Sequence, residues 1–387
     1  MFNKKQIEKF KKISTPFYFY DLSVLEQNLK ALKRIARRYD YRIHYALKAN
    51  VNIEILQLIR QYGLGADCVS GNEIQRALEA GFPAKSIVFA GVGKTDAEIE
   101  FALQKDIQCF NCESMQELEV INRIAKRMKK IAPVALRLNP NLDAGTHDYI
   151  TTGREEDKFG IPTQQLPGAF QKVQELKNLQ LMGIHFHIGS QITDLTVYRF
   201  LCEKVNEIQE WFYQRGIRLP HLNLGGGLGV DYANPDEHLL PAYEEFFQIF
   251  NENLKIDSDQ VVHFELGRAI VAQCGALITR VLYIKPGLQK QFVIVDAGMT
   301  ELIRPALYRA YHKIENLSAS GREAIQRYDI VGPVCESSDF FGRDVALPET
   351  RRGDILAIRT TGAYAQVMAS RYNLRDLAPA VYSEELH

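Results

Sequence analysis

One feature constrains this chain more than any other. From about residue 40 to residue 267, short β-rich apolar runs alternate with segments of helical apolar spacing. The runs are Arg42–Ala49, Gly63–Val69, Ser86–Gly91, Asp106–Glu113, Ala132–Asn139, Gln180–Gly189, Pro220–Gly227 and Val261–Gly267. Helical spacing fills gaps such as Asn52–Tyr62, Asn72–Ala80 and Ala97–Gln104. Eight such strand–helix units are the number that closes a parallel sheet on itself, so the expected class is α/β, a (β/α)8 TIM barrel. After Gly267 the pattern changes. Ala276–Ile284, Gln291–Asp296, Tyr328–Val331 and Asp354–Arg359 are strand-like with turns between them, which predicts a second, mainly β domain. Thr15–Asp21 is a strand that comes too early for the barrel and is assigned to the same domain. The expected division is therefore a barrel over 21–270 and a β domain built from both chain ends, 1–20 plus 271–387.

Charge and composition narrow the function classes. The 387 residues carry a net charge of +0 with no basic block, which argues against nucleic acid or an anionic membrane as partner. No apolar stretch approaches the roughly 20 residues needed to cross a bilayer. Basic residues in Met1–Lys5 precede no apolar core, so no secretory signal is expected. Six cysteines in so long a chain suit free thiols in a reducing cytoplasm better than a disulfide framework.

In such barrels the reacting groups stand at the carboxyl ends of the strands. The first strand ends in Lys48, the second carries Asp67, and the fifth offers Arg137 and Asn139. The sixth ends His185-Phe186-His187-Ile188-Gly189-Ser190, the seventh Gly225-Gly226-Gly227, and the eighth Glu265-Leu266-Gly267-Arg268. These groups suit pyridoxal phosphate. Its aldehyde needs an amine, which Lys48 can supply. Its phosphate needs close backbone N–H groups and a hydroxyl, which the glycines and Ser190 offer. Its pyridine nitrogen needs a carboxylate to stay protonated, a role for Glu265. His187 could lie flat against the ring. His185 and His187 would share a face if both lie in a strand, and His185 is equally a core or supporting histidine. Asp67, Arg137 and Asn139 read best as a hydrogen-bonded strut behind the cofactor.

Two motifs are decoys. Gly91-Val92-Gly93-Lys94-Thr95 resembles the end of a phosphate-binding loop, but Val88 stands where that pattern needs glycine. Cys109 and Cys112 have the spacing of a redox or zinc pair, yet residues three apart on a strand face opposite sides.

With these residues in order, the chain resembles the alanine-racemase-like pyridoxal phosphate barrels, and among them the diaminopimelate decarboxylase family. The resemblance covers nearly all of the chain. It rests on Tyr45–Asn50, on Asn139-Pro140-Asn141 with Thr146-His147 and Lys158-Phe159-Gly160-Ile161, on His185–Gln191 and on Gly225–Gly229. In the β domain it rests on Arg304–Tyr308, Gly332–Asp339 and Gly362-Ala363-Tyr364. It implies that Lys48 forms an imine with the cofactor and that Glu265 binds the pyridine nitrogen. Gly226, Gly227, Ser190, Tyr364 and the Gly267–Arg268 turn would hold the phosphate. Arg268, Arg304 and Tyr308, with Tyr364, would contact the substrate at its remote carboxylate, and Glu336 the amine beside it. Cys335 would reprotonate the carbon after CO₂ leaves. In this family Cys335 and Glu336 reach the site from the other subunit, so a homodimer with shared sites is implied. Two departures stand out. Leu266 replaces the family's proline, expected only to soften the turn, and Asp339–Val345 lacks an arginine often found after the second aspartate.

The implied reaction is loss of CO₂ from the D centre of meso-2,6-diaminopimelate to give L-lysine, the last step of lysine biosynthesis. Racemases on this fold typically carry arginine where Glu265 stands, so a carboxylate there favours decarboxylation. Other readings are decarboxylation of carboxynorspermidine or a basic amino acid, or a catalytically silent regulatory homologue. Arg304 asks for a carboxylate and not a cationic tail, and the presence of Lys48, Cys335 and Glu336 speaks against silence. The polar stretch Thr146–Lys158 is a candidate lid.

Overall fold

The computed structural model describes residues 2–142 and 158–386. They form two compact units, Leu29–Gly229 with Ala242–Gly267, and Met1–Asn28 with Val230–Pro241 and Arg268–His387. The Thr146-His147 signature and most of the candidate lid lie outside the described residues.

In the first unit the eight barrel strands are Arg42–Ala46, Gly65–Cys68, Ile87–Phe89, Cys109–Cys112, Ala132–Asn139, Leu179–His185, His221–Asn223 and Val261–Leu266. Each pairs in parallel with the next, and the eighth returns to the first, with Glu265 opposite His44. The predicted barrel is borne out, and each strand falls inside its predicted run except the sixth, which starts one residue earlier, at Leu179. Period-two alternation puts Phe264 outward, where Phe246, Phe247 and Phe250 surround it with ring centroids 4.8–5.4 Å away. Its neighbours His263 and Glu265 point the other way. Three of the barrel helices start on side-chain caps, those of Ser70, Thr95 and Ser114. Ser114 accepts from the Glu117 N–H and opens Met115–Arg127, whose Leu118, Ile121, Ile124 and Ala125 form one buried face.

The second unit is mainly β, as predicted. Phe17–Tyr20 pairs antiparallel with Gly275–Pro286 and parallel with Ala380–Tyr382, so both chain ends meet in one sheet. That sheet continues in the order Ile314–Asn316, Ile355–Arg359, Gly275–Pro286, Gln291–Val295, Gln326–Val331 and Phe340–Leu347. Phe10, Phe17, Phe19, Ile278 and Ala357 are part of its core. Ile314–Asn316, Phe340–Leu347 and Ala380–Tyr382 escaped the sequence reading. Two have three residues each, and the third interrupts its apolar pattern with Gly342-Arg343-Asp344. The segment 230–241, which lies between barrel strands in sequence, belongs to this unit. Arg359 holds Asp236 at 2.9 Å, and Gln273 donates to the Asp231 carbonyl at 2.8 Å. No helix among the described residues is long and apolar enough to cross a membrane.

Candidate active site

Lys48 does not close the first strand. The strand stops at Ala46, and Leu47–Ala49 turns as a 3₁₀ helix, with the Asn50 N–H bonded to the Leu47 carbonyl at 3.0 Å. The buried Tyr45 hydroxyl donates to the Asn50 carbonyl at 2.9 Å and pins the turn. The signature Tyr45–Asn50 thus closes on itself by a bond invisible to strand periodicity. The Lys48 side chain is 39% exposed, whereas Asp67, 3.6 Å from its Nζ, is 1% exposed. Burial, then the nearby Glu265, pushes the Asp67 carboxyl up to about 7 despite the lysine.

Glu265 is a buried charge with donors on both of its oxygens. One oxygen accepts from Asn223 at 2.7 Å and Asn111 at 3.1 Å, and the other from His185 Nε2 at 2.7 Å. Burial alone would raise its pKa, but His185 and Lys48 outweigh burial and hold the carboxyl well below its usual range. Neither asparagine was singled out from the sequence. Period two places Asn111 and Asn223 inward on their strands, and that was the available signal.

His185 and His187 do not share a strand face, because the strand ends at His185. His185 serves Glu265. His187, in the irregular segment beyond, accepts the Gly226 N–H on Nδ1 at 3.3 Å, so its other nitrogen carries the proton. Burial first, then Lys48 and Arg137, keep it well below its ordinary pKa and neutral. A neutral imidazole suits stacking on a protonated pyridine.

The glycine run works differently from its sequence reading. A Cβ on Gly225 would sit 2.2 Å from the Phe186 carbonyl, and one on Gly226 1.9 Å from that of Glu265. Both N–H groups are already bonded, to Asn223 Oδ1 and His187 Nδ1. Gly227, at φ +101°, keeps an N–H without an acceptor among the described residues. Asp67 Oδ1 and His185 Nδ1 are likewise buried and without hydrogen-bond partners there. Open donors, an exposed amine and an ionised carboxylate in one barrel fit pyridoxal phosphate.

Of the three residues read as a strut, Asp67 pairs with Lys48, Asn139 donates to the Phe159 carbonyl at 3.4 Å, and Arg137 is held by a residue the sequence did not flag. Glu113 accepts from Arg137 at 2.5 Å, from the Gly91 N–H at 3.1 Å and from the Gly160 N–H at 2.9 Å. The Arg137 guanidinium lies over Phe159, 4.8 Å from the ring centre. The decoys resolve as structure. Lys94 is buried and donates to Glu117 and to the Gly91 and Asn111 carbonyls. Cys109 and Cys112 are buried, and burial pushes the Cys109 thiol up to about 12. Leu266 is fully buried opposite Tyr45, so the eighth strand runs through it and the turn starts at Gly267.

The second unit carries the remaining candidates. Arg268 and Arg304 are each 5% exposed. Both donate to one phenol oxygen, that of Tyr232, at 2.6 and 2.9 Å. Arg304 also donates to His312 Nε2 at 3.0 Å, and His312 Nδ1 donates to the Arg359 carbonyl at 2.8 Å. Burial and then Arg304 lower the His312 pKa to about 3, so this partner is neutral. Arg304 has no carboxylate partner among the described residues. Tyr364, at φ +57°, lays its ring 4.9 Å from the Arg268 guanidinium. Tyr308 is half-buried at the end of the helix Arg304–Tyr308. Cys335 is the exposed one of the six cysteines. Its loop is pinned by Asp339, whose carboxylate accepts from the Met299 and Val334 N–H groups at 2.6 Å each. Glu336 is exposed and accepts from the Tyr372 hydroxyl at 2.6 Å. Tyr232, His312 and Tyr372 had no signal in the strand-end reading, because none stands at a barrel strand end.

Residues 22–272 match the family described as pyridoxal-dependent decarboxylase, pyridoxal binding domain. The barrel is thus that of a pyridoxal-phosphate-dependent decarboxylase. Over 98% of both chains, this one is 51% identical to a diaminopimelate decarboxylase of Bacteroides thetaiotaomicron. It is 40% identical to that of Aquifex aeolicus over 96% of this chain and 87% of the other. The crystal structure of the Helicobacter pylori diaminopimelate decarboxylase complexed with L-lysine superposes with a TM-score of 0.91 at 43% identity, covering 97% of this chain and 93% of that one. The chain belongs to the diaminopimelate decarboxylase family.

Proposed function

We propose that this enzyme removes CO₂ from the D centre of meso-2,6-diaminopimelate and releases L-lysine. The observation that carries the substrate assignment is Arg304, a buried cation beside a second one, with only neutral partners among the described residues. A buried cation in such company calls for an anion, and a distal carboxylate supplies it. A basic amino acid would bring a cation to that place. The names of the relatives support the same substrate.

Bound pyridoxal phosphate supplies an aldehyde for the amine and a protonated ring that accepts the electron pair left by CO₂. Lys48 would offer the amine that holds the aldehyde. Glu265, kept ionised, would hold the proton on the pyridine nitrogen, and the neutral His187 would pack against the ring. Gly227, Ser190, Gly267, Arg268 and Tyr364 would hold the phosphate, with Gly226 contributing the room left by its missing side chain. Arg268, Arg304, Tyr308 and Tyr364 fix the far end of the substrate, and Glu336 receives its amine. Cys335 delivers a proton to the carbon that has lost CO₂.

The working form is a homodimer in which Cys335 and Glu336 act in the site of the second copy. Exposed apolar residues support such an interface: Tyr372, which donates to Glu336, and Leu374 and Leu377 a few residues further along the chain. The functional division follows the two units, a cofactor barrel of Leu29–Gly229 with Ala242–Gly267 and a substrate-reading unit of Met1–Asn28, Val230–Pro241 and Arg268–His387. Six free thiols, five of them buried, support a reducing cytoplasm as its location.

CO₂ release should be compared for meso-diaminopimelate, L-lysine, L-ornithine, L-arginine and carboxynorspermidine. Turnover of diaminopimelate alone is expected, with Lys48→Ala slower by at least about a thousandfold. Turnover of a basic amino acid would overturn the Arg304 reading and leave the barrel chemistry standing.

A further inference from the structure

The two guanidiniums of the second unit meet on a residue with no assigned role. Tyr232 stands in the segment 230–241, and its oxygen accepts from Arg268 and from Arg304. It is partly exposed, unlike the two arginines, and its own O–H has no acceptor among the described residues. Three features make this more than packing. Like charges repel, so two buried guanidiniums sharing one oxygen need a reason to stay together. The surroundings are built for it, since His312 meets the Tyr232 ring edge-on at 4.9 Å while receiving Arg304 on Nε2. The phenol also has one donor left over, and it belongs to a partly exposed group.

We propose that Tyr232 is a positioning residue for substrate selection, which clamps Arg268 and Arg304 into a carboxylate-reading pair and turns its own O–H toward the arriving carboxylate. The proposal rests on the reading of the two arginines given above. Burial alone would raise the phenol pKa, but Arg268 and then Arg304 outweigh it and lower it. The groups facing the phenol are Arg268, Arg304 and His312, the last neutral. An arriving carboxylate neutralises the arginines and opposes ionisation of the phenol, so ligand binding must raise its pKa.

The test uses the holoenzyme and two amines that differ by one carboxylate, L-lysine and cadaverine. Wild type should bind L-lysine more tightly, and Tyr232→Phe should weaken L-lysine about 10- to 100-fold while leaving cadaverine within about twofold. The KM for diaminopimelate should rise by more than kcat falls. Tyrosinate absorption should show one phenol titrating below the usual ~10, absent in Tyr232→Phe and moved upward by saturating L-lysine. That shift is read on wild type and so stands even if the variant folds poorly. Equal loss of both amines, or a titration indifferent to L-lysine, overturns the proposal. A wild type that does not prefer L-lysine to cadaverine overturns the arginine reading instead.

Discussion

Glu265 and Arg304 are both nearly buried charges, 6% and 5% exposed, yet their surroundings are opposite. Glu265 lies in a barrel that meets both of its oxygens with donors, two asparagine amides and an imidazole. Arg304 lies in the β unit among neutral acceptors, with a second guanidinium on the same phenol. The barrel balances its own charge and so presents a carboxylate fixed in position and ionisation. That suits a group which serves a resident cofactor throughout the reaction. The β unit leaves its charge unbalanced, which costs stability until an anion binds. That suits a group whose partner comes and goes, since the missing counter-charge becomes binding energy and specificity.

The contrast can be broken from either side. The largest effect is expected at the balanced site. Glu265→Gln keeps the shape and removes the charge, so kcat should fall on the order of 10²–10³-fold with KM nearly constant. A fall confined to KM would mean that Glu265 is not an electronic partner of the cofactor. Arg304→Met is expected to raise the KM for diaminopimelate by roughly a hundredfold and to lower kcat less. The same change should leave the protein as stable or more stable in urea, because it removes an unbalanced buried cation. A clear loss of stability would show that Arg304 is structural.

The smallest effect belongs to Asp67, a barrel carboxyl whose burial outweighs its ion pair with Lys48. Its folded pKa of about 7 lies above the ordinary 3.8. The folded state therefore binds the extra proton, and the stability this contributes is full below pH ~4 and lost as pH rises through ~7. Asp67→Asn cannot ionise and should flatten the decline of urea stability between those limits. An unchanged slope would assign the decline to another group.

Much of this was legible from the chain alone, for reasons that differ by residue. Lys48, Glu265 and the glycine run could be found because barrel strands deliver their carboxyl ends to one face, so order along the sequence becomes proximity in space. The strand Thr15–Asp21 could be assigned to the β domain because it had no place in the eight-strand count. Cys335 and Glu336 came from resemblance, and nothing in their own spacing marks them.

What the sequence determined by itself was therefore the periodic part: the barrel, the β character of the remainder, and the strand-end groups. Period two and period 3.6 are local, and each strand or helix states them within a few residues. The tertiary structure decided the partners. Tyr232 reaches Arg304 across 72 residues, Asn111 reaches Glu265 across 154, and Glu113 ties Arg137 to Gly160. It also decided that two of the three glycine N–H groups are already bonded, and that Lys48 leaves the strand on a turn held by Tyr45. A hydrogen bond needs about 3 Å and the right direction, and no spacing along a chain specifies either.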